Sequence, residues 1–80
     1  MKKFEIKFLD VNTRDVIYHT SCYALDKECA VWTALDEFHV IYGTKEEDYA
    51  PAIERVCVVF PDVMRGLTCY DVAMREVKIS

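Results

Sequence analysis

The stretch from Asp26 to Gly43, DKECAVWTALDEFHVIYG, runs without a proline between two helix-boundary residues. It ties the chain to a fold built around one helix. The Asp26 carboxylate can accept from the free amides of a first turn. Gly43 supplies the left-handed residue that commonly ends a helix. Steps of ~100° per residue gather Ala30, Val31, Ala34, Leu35, Phe38, Ile41 and Tyr42 on one face. That is a core stripe. Trp32, Asp36 and His39, at i, i+4 and i+7, form an outer stripe pointing away from it.

On both sides of this helix the apolar period falls to two. Residues 3 to 11 place Phe4, Ile6 and Phe8 on one face and Glu5, Lys7, Leu9 and Val11 on the other, as a half-buried strand does. Asn12 to Asp15 provides a turn, and residues 16 to 24 return antiparallel, rich in β-branched and aromatic types. Small Cys22 and Ala24 are expected to face the helix, with Ile17, His19 and Tyr23 opposite. After Gly43 a polar connection carries the acidic run Glu46, Glu47, Asp48 and then Pro51. Residues 53 to 60 form a third strand, apolar on both faces, which suggests a central place in the sheet. Residues 68 to 79 alternate Tyr70, Val72, Met74 and read as a fourth strand, although Tyr70, Ala73, Met74 and Val77 also fit a helical spacing. The expected fold is therefore α+β: one ββαββ domain over residues 1–80, a four-stranded antiparallel sheet with one helix packed on one face. Leu9, Val11, Ile17, Tyr23 and Val59 would lie uncovered on the other face, and such a patch marks an association surface, with a homodimer as one outcome.

Eighty residues suffice for one small domain. No apolar run approaches the ~18 residues of a membrane span, and MKKFEIKFLD lacks the pattern of a signal peptide, so a cytoplasmic protein is expected. A net charge of −4 argues against direct nucleic-acid binding, which relies on clustered Lys and Arg. Cys22, Cys29, Cys57 and Cys69 form no C-x-x-C pair. Their ordinary reading is as buried reduced thiols, with a disulfide or a metal site as the alternatives.

Catalytic chemistry finds little support. By parity His19 and Cys22 lie on opposite sides of one strand, and His39 is on the outer helix face, so neither makes a Cys-His nucleophile pair. Asp36 and Glu37 are ~100° apart on the helix and form no carboxylate pair. The two glycines build no phosphate-cradling loop. No enzyme and no cofactor are expected; a small metal-binding or cysteine-dependent enzyme is the remote alternative.

Binding is better represented. Exposed tryptophan beside charge, in Trp32, Asp36 and His39, has the composition of an interface hot spot, and Tyr23 adds an aromatic on the open sheet face. The acids Asp26, Glu28, Asp36, Glu37, Glu46, Glu47 and Asp48 suggest a strip that meets a basic, nucleic-acid-binding groove on a partner protein. A solvated acidic surface and a packed Trp32 are the plain alternatives. In size, acidity and strand-hairpin-helix-strand order, the whole chain resembles the small phage-encoded inhibitors that include anti-CRISPR proteins. That resemblance implies a non-catalytic, single-domain protein that blocks a host nuclease complex by occupying its surface.

Overall fold

Alternation in the first strand determines what the helix meets. In the computed structural model, which describes residues 1–46, 54–61 and 66–78, the elements are β1 (Lys2–Asp10), β2 (Val16–Ala24), α1 (Lys27–Tyr42), β3 (Lys45–Glu46), β4 (Arg55–Phe60) and β5 (Gly66–Val77). They form one antiparallel sheet in the order β2-β1-β5-β4-β3. The expected α+β architecture of two hairpins joined by a helix is present, and the two-residue β3 adds a short fifth member at one edge. Residues 66–77 are strand. The pairing Ile6↔Met74 and Phe8↔Val72 turns Met74 and Val72 toward α1 on a two-residue period, which overrides the helical spacing.

Phe4, Ile6 and Phe8 of β1 are fully buried beneath α1, together with Val56 and Val58 of β4 and Tyr70 of β5. Ala30 and Ala34 let the helix approach, and Val31, Leu35 and Phe38 fill the remaining space. Phe38 is the hub. Its ring centroid lies 5.7 Å from Phe8, 5.4 Å from Tyr18, 4.5 Å from Tyr42, 5.8 Å from Tyr70 and 6.5 Å from Phe60. Burying a side chain of this size contributes on the order of 2–3 kcal/mol before packing is counted. The core stripe thins there: Ile41 is exposed, against the continuous wheel, and Tyr42, also exposed, keeps only its ring contacts with Phe38 and Tyr18.

The helix boundaries are as the residues dictate. Asp26 Oδ1 accepts from the Cys29 amide at 2.9 Å, and Gly43, at φ 66°, donates its amide to the His39 carbonyl at 2.8 Å. In the β1–β2 turn, Asp10 Oδ1 accepts from the Asn12 and Thr13 amides. The left-handed position there falls on Arg14 at φ 65° instead of on a glycine.

Three expectations change. The strand at 55–60 is interior but next to the edge: β5 pairs along its length, whereas among the described residues β3 covers Val58 and Val59 alone on its other side. It is apolar on its second face because Cys57 stands there, directly opposite Cys69 of β5 and bonded to it. Cys57 and Cys69 are thus a disulfide and not reduced thiols, leaving half-buried Cys22 and exposed Cys29 free. Finally, the face away from α1 is no continuous apolar patch. Tyr23 and Ile17 are exposed there, Leu9 and Val59 are half-buried, and Val11 belongs to the turn. Strand register interleaves them with Lys3, Glu5, Lys7, His19, Arg55, Asp71 and Arg75.

Candidate interaction surface

Glu37 sits on the flank of α1 that overhangs β2. The Tyr18 hydroxyl donates to its carboxylate, and Thr20 Oγ1 donates to the same oxygen at 2.8 Å. Tyr18 and Thr20 are two apart on β2, so both point to the helix side. Burial, with the neighbouring Glu37 carboxylate second, pushes the Tyr18 phenol up to about 12. Sequence reasoning treated Glu37 only as one surface acid. Its place was indicated by the i, i+4 row Thr33, Glu37, Ile41 alongside hydroxyl-bearing Tyr18 and Thr20.

The exposed side of α1 is strongly acidic. Asp26, Glu28, Asp36 and Glu37 are all exposed, and Lys27 is the one Lys or Arg in the helix. The Asp26 carboxyl is held below the usual range by the Cys29 amide that it caps. In turn the Asp26 carboxylate beside it holds the Cys29 thiol up. Burial pushes the Cys22 thiol up, under the helix, where its Sγ lies 3.8 Å from the Ala30 carbonyl.

Trp32, Asp36 and His39 do share one side of the helix, but they are not equally open. Asp36 is exposed, whereas Trp32 and His39 are half-buried. His39 Nδ1 lies 2.7 Å from Oγ1 of buried Thr44, so this ring fastens the helix exit. The more open residues of the last turn are apolar: Val40, Ile41 and Tyr42 are exposed, and Val16 is exposed at the start of β2. Tyr42 and Tyr18 meet edge to face at 6.1 Å, joining the last turn of α1 to β2.

The opposite sheet face is self-neutralising. Asp71 accepts from Arg55 Nε at 3.0 Å and also from Arg14, and Glu5 pairs with Arg75. Lys3 lies over the Tyr23 ring at 5.9 Å. The acids on this face are therefore paired, unlike Asp36 and Glu28, for which no cationic partner is seen among the described residues. Glu46 lies in β3 with its side chain undescribed, and Glu47 and Asp48 fall outside the described residues.

A groove of about 170 Å³ on the open face is lined by Glu5, Lys7, Ala73, Met74 and Arg75. Another of about 410 Å³, beside the start of α1, is lined by Lys2, Phe4, Asp26, Lys27, Glu28 and Glu76. Neither lining includes a cysteine, serine or histidine. Among the described residues no three His, Cys, Asp or Glu side chains converge as metal ligands, and no helix is long and apolar enough to cross a membrane. In comparisons with known proteins, the chain matches no family model, no curated protein and no solved structure.

Proposed function

We propose that this chain is a non-enzymatic inhibitor or adaptor that docks on a basic surface of a partner protein through the exposed side of α1. The observation that supports the reading is the contrast between the two sides of the molecule. Acids on the open sheet face are ion-paired within the fold, whereas Glu28 and Asp36 project from the helix beside a half-buried tryptophan and an apolar last turn. Charges without an internal partner stabilise the fold little and are available to steer a complementary surface. A groove that normally holds nucleic acid has the required positive potential, and occupying it blocks it. This is the mode of action that the resemblance to phage-encoded inhibitors implies, with no direct nucleic-acid contact by the chain itself. In the cytoplasm, where such a target would be met, Cys57 and Cys69 would stand mainly as a dithiol held side by side by the strand register.

The test is affinity capture from host lysate with wild-type protein and with a Glu28→Lys/Asp36→Lys variant of equal thermal stability. A basic protein retained by the wild type, and released both by the variant and by high salt, is the expected result. Equal capture by both would refute docking through α1. Trp32→Ala should weaken the same capture at a temperature where both proteins are fully folded, beyond the modest loss of stability expected for a half-buried tryptophan.

A further inference from the structure

We propose that β2 is an acceptor edge, to which the partner adds an extended basic segment as a sixth strand. This rests on the reading of a protein-binding module and specifies how the partner is held. The two sheet edges differ in kind. Among the described residues the β3 edge is Lys45 and Glu46, both charged, and charge on an edge discourages pairing. By contrast β2 is nine residues long and contains no proline, lysine, arginine or carboxylate. Its register shift against β1 is confined to the start, next to Leu9↔Val16, so the span from Tyr18 to Ala24 runs in unbroken register. Among the described residues no strand pairs with its outer side. An edge of this length, rich in β-branched and aromatic residues, is a template for strand addition.

The chemistry of the occupant follows from what overhangs the edge. Glu37 is fastened above the middle of β2 by Tyr18 and Thr20. A residue added opposite Thr20 points to the same face as Thr20 and comes beside that carboxylate. A lysine or arginine there is complementary to the Glu37 carboxylate. A second copy of this chain fits poorly. Antiparallel self-pairing over the whole of β2 centres on Thr20, placing one Glu37 carboxylate next to its symmetry mate with no cation between them.

The probe is a nine-residue peptide of alternating threonine and valine with a central lysine, against the same peptide with a central glutamate. Binding is followed by amide hydrogen exchange and by NMR shifts of labelled protein. The lysine peptide should slow exchange of alternate β2 amides, and the glutamate peptide should bind about tenfold more weakly. Glu37→Gln, which keeps an acceptor for Tyr18 and Thr20, should abolish the preference, and Glu37→Lys should reverse it. Shifts confined to Glu28 and Asp36, without β2 protection, would overturn strand addition and leave docking through the acidic helix standing. Undiminished β2 protection in the Glu28→Lys/Asp36→Lys variant would support the acceptor edge as distinct from the acidic helix side, whereas loss of protection there would overturn it. Equal binding of both peptides, no binding of either, or β2 protection by self-association alone would each overturn the proposal.

Discussion

Cys57 and Cys69 stand directly opposite each other on β4 and β5, with Cα atoms 4.0 Å apart, and their sulfurs are bonded. The pair lies on the face away from α1, so the bond staples the β4–β5 hairpin without entering the main core. It joins residues 12 apart in sequence. Losing the cross-link releases loop entropy to the unfolded chain, so Cys57→Ser/Cys69→Ser should lose about 2–3 kcal/mol. Urea unfolding with and without reductant measures this. Reductant should lower the midpoint of the wild type and leave the double variant unchanged.

Phe38 touches five aromatic rings and is wholly buried. Phe38→Ala should cost about 3–5 kcal/mol, through lost transfer energy and an unfilled cavity. Two residues on, Val40 is 85% exposed. Val40→Ala should therefore change stability by less than about 0.5 kcal/mol. Urea midpoints of the two variants, compared at equal slope, check the contrast.

Thiol chemistry should separate the cysteines into three kinds. Exposed Cys29 should react first with a disulfide reagent, but more slowly than an unperturbed thiol, because Asp26 holds its ionisation up. Half-buried Cys22, beneath α1, should react more slowly than Cys29, and Cys57 and Cys69 only after reduction. Asp26→Asn should quicken Cys29 while preserving a capping side chain. Stopped-flow thiol titration of native and reduced protein reads all three classes.

The Tyr18 phenol should ionise near 12, above the ordinary value of 10.0. Since its folded value is raised, the stabilisation it gives is intact below pH 10 and is lost as pH rises through 12. Absorbance titration of the tyrosinates at 295 nm should show a late phase that loses one tyrosine's amplitude in Tyr18→Phe. Glu37→Gln should shift that phase to lower pH by removing the adjacent negative charge.

Much of the fold was legible because local signals agreed. Asp26 and Gly43 bracket the helix, and Phe4, Ile6 and Phe8 alternate without interruption, so each element could be read from its own residues. What could not be read was non-local. Nothing near Cys57 indicates Cys69 until the β4–β5 register places them level, and nothing near β1 announces that β5 will lie beside it. Ile41 continues the helical stripe in sequence, yet it is exposed, a boundary set by packing and not by periodicity. Of the candidate surface, the acidity of α1 and the stripe of Trp32, Asp36 and His39 were visible, whereas the role of His39 against Thr44 needed the turn that follows Gly43.

The placement of β5 between β1 and β4 has a consequence for how the molecule comes into being. Lys3 pairs with Val77, and Asp10 with Tyr70, so the middle seam of the sheet joins segments more than half the chain apart. Closing so long a loop has an entropic cost that must be met before the seam gives any return, which slows folding. Until residues 66–77 arrive, β1 has β2 alone as a partner, and Phe4, Ile6 and Phe8 are only partly covered. A nascent chain stalled before Gly66 has emerged should stay protease-sensitive along its exposed length, and a chain released with residues 66–77 should acquire protection in one step.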